Sequence, residues 1–146
     1  MLRGRVSAKI DDKGRLKVPS AYRAFIETEW GTALYLTSLS PTGECVRLYP
    51  MKIWEAIEAT LQKDRASLDT SRKAFELTTS YWGQMAELDA QGRVVLPPQL
   101  REAAGASADV EVLGLTTCLE VWNSDRLKLK VERVGLNDEH LAALGV

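Results

Sequence analysis

Arg15 and Arg93 stand in the same surroundings. Asp11-Asp12-Lys13-Gly14-Arg15-Leu16-Lys17-Val18-Pro19 aligns with Asp89-Ala90-Gln91-Gly92-Arg93-Val94-Val95-Leu96-Pro97. Each copy reads Asp-x-x-Gly-Arg, then three strand-type positions, then proline, and a second arginine follows four residues later, Arg23 or Arg101. A guanidinium is permanently charged, and its planar fork of donors fits a carboxylate, a phosphate or a guanine edge. Just past a turn, Arg15 and Arg93 can pair with the motif aspartate or reach a phosphate. Arg23 and Arg101, on the helices expected after each proline, suit either a surface salt bridge or contact with a nucleic-acid backbone. Asp11, Gly14, Asp89 and Gly92 need only a structural role: aspartate bonds turn amides, and glycine supplies positive φ.

The basic side chains around the first copy carry more information. Residues 1–23 hold Arg3, Arg5, Lys9, Lys13, Arg15, Lys17 and Arg23 against Asp11 and Asp12, a local charge of +5 in a chain of net charge −1. Arg5, Lys9, Arg15 and Lys17 are expected on one side of a hairpin with Lys13 at its tip, a face of a single sign. A two-stranded ribbon fits the major groove of DNA. A solvated charged face is the alternative. The second copy lacks this face: Ser7, Lys9, Lys13 and Lys17 become Met85, Glu87, Gln91 and Val95. The first hairpin is therefore expected to dominate phosphate contact, and the apolar Met85 and Val95 are expected to be at least partly covered.

Other chemistry finds little support. Cys45, Cys118 and His140 are the only cysteines and histidine, so no metal or cofactor is expected. Asp11 or Asp12 with Asp89 could form an acid/base pair only if two carboxylates faced each other with shifted pKa values; the sequence places each on a turn, and neither copy contains an Asp-Thr/Ser-Gly loop. No Gly-x-x-x-x-Gly-Lys loop occurs, and an enzyme is not expected. The lack of a long apolar run or signal-peptide core argues for the cytoplasm.

These residues must be positioned by two like units. In the first, Val6, Ala8 and Ile10 alternate with Arg5, Ser7 and Lys9 as a strand, then come the turn, a strand with Leu16 and Val18 inward, and Pro19 as its end. Ser20 reads as a helix N-cap ahead of Tyr22, Phe25 and Ile26. Strands follow at 33–37 and 45–49, and Pro50 suits the first turn of a helix carrying Trp54, Ile57 and Leu61. A further helix is expected over 69–81. The second unit repeats the plan, with Gly105 stopping its short helix and strands at 109–115 and 118–122. The spacing between copies is 78 at the glycines and 73 at Cys45 and Cys118, so the first unit has about five extra residues, around Trp30 or in the 40–43 turn. Units of this size are marginal alone, so they share a core or lean on neighbouring subunits. After Leu127 a weak amphipathic helix with a frayed end is expected.

The chain resembles the MraZ family in Arg3-Gly4, in Asp11/Arg15 and Asp89/Arg93, in Leu34-Tyr35-Leu36-Thr37, in Leu48-Tyr49-Pro50 with Trp54, and in Val121-Trp122. The resemblance implies an α+β, β-rich fold. It would be a pseudo-twofold swapped-hairpin β-barrel of two AbrB-like repeats with short peripheral helices, formed within one chain where AbrB proteins use two. Repeats at 1–50 and 83–126 would flank a helical connector at 51–82, with a helical tail at 127–146. The resemblance also implies ring-shaped homo-oligomers, nucleoid association and regulation of the division and cell-wall gene cluster. Arg15 and Arg93 match the family's motif arginines associated with DNA contact, and Arg23 and Arg101 match the arginine after its helix start. The expected activity is sequence-specific binding of repeated promoter sites in double-stranded DNA. The alternative is a protein-interaction module of the AbrB antitoxin type.

Overall fold

The computed structural model describes residues 1–63 and 69–146. Residues 64–68 of the expected connector lie outside this description. The first half runs β1 (Leu2–Ile10), β2 (Arg15–Lys17), α1 (Ser20–Trp30), β3 (Ala33–Thr37), β4 (Val46–Pro50) and α2 (Met51–Lys63). After α3 (Asp69–Tyr81) the plan recurs as β5 (Gln84–Glu87), β6 (Arg93–Val95), α4 (Pro98–Ala104), β7 (Ala108–Thr116), β8 (Leu119–Asn123) and α5 (Ser124–Val134). The last element is α6 (Asp138–Leu144).

All ladders are antiparallel, in the order β5-β3-β4-β8-β7-β1-β2-β6. The two ends of that order belong to one hairpin, so the sheet is a nearly closed barrel. Each first strand pairs in the other repeat: β1 lies on β7 from Leu2↔Thr116 to Ile10↔Ala108, and β5 lies on β3 from Ala33↔Glu87 to Leu36↔Gln84. A pseudo-twofold axis relates the repeats. It passes between Leu16 and Val94 in the β2–β6 pair, and between Arg47 and Glu120 in the β4–β8 pair. The swapped-hairpin barrel is thus present within one chain.

The period-2 pattern explains the interior. Leu16, Val18, Leu34, Leu36, Val46, Leu48, Val94, Leu96, Val110, Val112, Leu119 and Val121 are all buried together. Tyr22 and Ile26 of α1 and Leu100 and Ala104 of α4 join the same core. Burying one such aliphatic side chain contributes about 1.5–3 kcal/mol. The five extra residues divide between both expected places. The spacing between equivalent positions is 78 at Gly14/Gly92, 76 at Leu34/Val110 and 73 at Leu48/Val121. Two residues fall in the α1–β3 leg, where α1 is the longer helix, and three in the turn between β3 and β4.

Several local expectations change. Pro19 takes the N-cap position of α1 with no side-chain cap, and Ser20 is its first residue. The backbone does the capping work: the Pro19 carbonyl accepts from Arg23 N at 2.9 Å, as Pro97 does from Arg101 N at 2.8 Å. Pro50 closes β4 opposite Leu34 instead of opening α2. Proline is tolerated there because β8 pairs only Val46 to Leu48, so no ladder partner awaits the missing N–H. Val6 is exposed although its neighbours in phase, Leu2 and Ile10, are buried. β2 meets β1 only at Ile10↔Leu16, so at Val6 only one side of β1 is flanked, by β7, whose Val112 directly opposite is buried. The tail holds two helices: α5 is anchored by Leu127, and α6 is closed by a capping box between Asn137 and His140. No helix among the described residues is long and apolar enough to cross a membrane.

Candidate nucleic-acid interface

Both motif turns are built alike from the aspartate outward. Asp11 Oδ1 accepts from the amides of Lys13 (3.0 Å) and Arg15 (2.9 Å), and Asp89 Oδ1 from those of Gln91 (2.8 Å) and Arg93 (2.9 Å). The second carboxylate oxygen takes the arginine Nε, at 2.7 Å for Arg15 and 3.2 Å for Arg93. The backbone amides of Arg15 and Arg93, aided by their side chains, hold both carboxyls below the ordinary aspartate value. Both oxygens of each carboxylate are bonded within its own turn. The terminal guanidinium nitrogens of Arg15 and Arg93 carry no partner among the described residues.

Each turn is also held by the other repeat. Gly14 and Gly92 have φ of 78° and 76°, and their carbonyls accept from Leu96 N and Val18 N. A Cβ on Gly14 would collide with the Arg101 guanidinium, and one on Gly92 with the Arg23 side chain. Arg23 further donates to the Ala90 carbonyl at 2.8 Å and to Glu27 at 3.0 Å. Arg23 and Arg101 thus lie against the opposite hairpin and position it. Spacing within one repeat does not reveal this, because each arginine packs on the glycine of the other copy.

The exposed chemistry gathers around the axis. The β2–β6 register sets Arg15 opposite Val95 and Lys17 opposite Arg93, with Leu16 and Val94 buried beneath. Arg15, Lys17 and Arg93 therefore share one outer face, and Lys13 is exposed at the first turn. Arg3, Arg5 and Lys9 are exposed on β1. This part of the face is not of a single sign as expected. Lys9 pairs with Asp109 at 2.9 Å, and Arg5 lies 4.0 Å from Glu111, both acids on the neighbouring β7. The Lys9–Asp109 pair is exposed on both sides, and pairs of this kind hold about 0–1 kcal/mol, whereas Glu111 is largely covered and also accepts from the Ser7 hydroxyl. Met85 and Val95 are 72% and 49% exposed, so no described residue covers them as expected.

The remaining candidates do other work. Burial pushes the thiols of Cys45 and Cys118 up, so both are protonated at neutral pH. His140 Nδ1 accepts from the Asn137 amide at 3.3 Å. No group of three metal-ligating side chains occurs among the described residues.

A feature not expected from the sequence lies at the far end of the axis. Arg47 Nε donates to Glu120 Oε2 at 2.7 Å, Arg47 Nη1 donates to the Tyr49 hydroxyl at 3.0 Å, and Trp122 Nε1 donates to Glu120 Oε1 at 2.8 Å. The signal was available, because Arg47 and Glu120 are equivalent at the spacing of 73 that matches Tyr49 with Trp122.

Comparison with known proteins agrees with this architecture. A family model described as "MraZ protein, putative antitoxin-like" matches residues 1–76 and 84–131. The transcriptional regulator MraZ of Koribacter versatilis is 40% identical over 150 aligned positions, covering 100% of both chains. That of Acidobacterium capsulatum is 37% identical over 144 residues, 99% of this chain and 97% of the relative. That of Syntrophobacter fumaroxidans is 34% identical over 83% of this chain and 78% of the relative.

Proposed function

The chain belongs to the MraZ family, and from that premise we propose that it is a DNA-binding transcriptional regulator. Its relatives carry the name transcriptional regulator. The observation that carries the DNA reading is the cluster of Arg15, Lys17 and Arg93 on the outer face of the β2–β6 pair. Two short antiparallel strands with outward basic side chains have the dimensions of a major-groove reader. In this reading Arg15 offers its free guanidinium nitrogens to a guanine edge. Lys13 and Lys17 contact phosphates, and Arg5 and Lys9 join them by exchanging Glu111 and Asp109 for the DNA backbone. Arg3 extends the contact along β1, while Arg23 and Arg101 act by holding the turns.

One patch of this size binds weakly. A homo-oligomeric ring engaging repeated promoter sites would multiply it, and linked sites can gain roughly 10²–10⁴ in avidity. The proposed targets are promoters of the division and cell-wall gene cluster, with the protein in the cytoplasm on the nucleoid. Footprinting on the promoter upstream of its own gene, at several salt concentrations, tests this. Protection of spaced repeats that fades steeply with salt is expected, with a logarithmic slope of about −0.9 per phosphate contact. The absence of protection at low salt would sink the proposal.

A protein-partner reading draws on one observation. Val131, Val134 and Leu136 are exposed beside a groove that Leu113, Trp122 and Leu127 also line. A partner held at high salt without DNA would favour that reading.

A further inference from the structure

We infer that Arg47 and Glu120 decide which repeat pairs with which, directing repeat 1 onto repeat 2 and away from a second copy of itself. Symmetry creates the choice. The β4–β8 register is Val46↔Val121, Arg47↔Glu120 and Leu48↔Leu119. At the spacing of 73, Arg47 and Glu120 are equivalent positions, so each lies on the pseudo-twofold axis opposite its own counterpart. If two copies of repeat 1 paired across chains in the same way, Arg47 would face Arg47. If two copies of repeat 2 paired, Glu120 would face Glu120. Like charges directly opposite on paired strands destabilise the sheet.

This position leaves little room for water to relieve such a clash. The Arg47 and Glu120 side chains are 25% and 12% exposed. On one side Tyr49 and Trp54 pack with Cys118, and on the other Trp122 and Leu127 pack with Cys45. The flanking aromatics match the charge they serve. Tyr49 accepts from Arg47 through its hydroxyl, while Trp122, whose indole can only donate, donates to Glu120. Each aromatic belongs to the same strand as its charge and travels with it, so exchange of repeats would bring two equally supported like charges face to face. At the other end of the axis the facing residues are apolar, Leu16 on Val94, and the charges beside them, Arg15, Lys17 and Arg93, lie on the outer face where water screens them. A single polar or charged position that specifies pairing at some expense of stability is a known use of such groups.

A reporter for the pairing is available on the full chain. Ser7 and Glu111 stand directly opposite on β1 and β7, at a separation that a cross-strand disulfide spans. Ser7→Cys with Glu111→Cys marks repeat-1-on-repeat-2 pairing after oxidative refolding, read on a denaturing, non-reducing gel. The native Cys45 and Cys118 are free thiols, so Cys45→Ala and Cys118→Ala accompany the pair and leave only the introduced cysteines to oxidise. In this background the parent is expected to cross-link within the chain. Arg47→Glu and Glu120→Arg should each lose most of that product. The double reversal R47E/E120R should restore it. The decisive arm refolds the two single variants together. The acid introduced at position 47 of one chain then faces the base introduced at position 120 of the other, and the native Arg47 and Glu120 that remain form the second pair. Covalent heterodimers should appear that neither variant forms alone. Full intrachain cross-linking in both single variants, or a mixture that yields no heterodimer, overturns the inference.

Discussion

The two hairpins of this protein share a skeleton and differ in surface. In both, an aspartate takes two amides and an arginine Nε, a glycine sits at positive φ, and an arginine of the other repeat lies on that glycine. Around the first stand Lys9, Lys13 and Lys17, and around the second Glu87, Gln91 and Val95. The repeated motif therefore reports how a turn is made. The residues that differ between its copies report what the turn is for.

The comparison breaks most visibly if the turns are not equivalent. Gly14→Ala and Gly92→Ala should each destabilise by about 2–4 kcal/mol, from backbone strain together with overpacking. Thermal unfolding should give similar losses. Arg101→Ala should recover part of the Gly14→Ala loss and Arg23→Ala none of it, with the reverse for Gly92→Ala. Rescue by the arginine of the same repeat would mean that the cross-repeat contact is not the source.

A smaller effect separates the surfaces. Arg15→Ala should weaken binding to cognate promoter DNA by about 1–3 kcal/mol, and Arg93→Ala by less. Lys17→Val, which imitates the second copy, should lower the salt slope by about one. Equal losses at Arg15 and Arg93, measured by titration with the fold intact, would make the two hairpins functional equals.

The smallest effect concerns pH. Backbone amides, then the arginine side chains, hold Asp11 and Asp89 below their ordinary values. Their contribution is therefore complete above about pH 4, the unfolded aspartate range, and is lost as pH falls through the folded values. Both carboxylates are solvent-accessible, so the change is slight. Asp11→Asn and Asp89→Asn should flatten the dependence of the thermal midpoint on pH, between about pH 5 and 2, to the same degree. Flattening by one alone would show that only one turn depends on its carboxylate.

The sequence made the repeats legible because duplication is a local comparison. Strand periodicity found the inward faces at Leu16 and Val18, and the turn residues marked both hairpins. What escaped was non-local. The charges that meet Lys9 and Arg5 come from Asp109 and Glu111, about a hundred residues away, so a face that reads as purely basic along β1 is mixed across the sheet. The partners of Arg23 and Arg101 were hidden by the same exchange of strands. The N-cap read at Ser20 falls on Pro19, and Pro50 closes a strand instead of opening a helix, one-residue shifts at element ends where proline suits either side of the boundary.

The exchange of strands also sets an order in time. β1 is made about a hundred residues ahead of its partner β7, which ends at Thr116. At synthesis rates of about 5–20 residues per second, the edge of β1 that β7 will cover waits several seconds unpaired. An unpaired edge is a template for wrong partners, and lysine or arginine along it is a common safeguard. Arg3, Arg5 and Lys9 lie on that edge. The charges proposed to grip DNA thus also guard the nascent chain until its second half arrives.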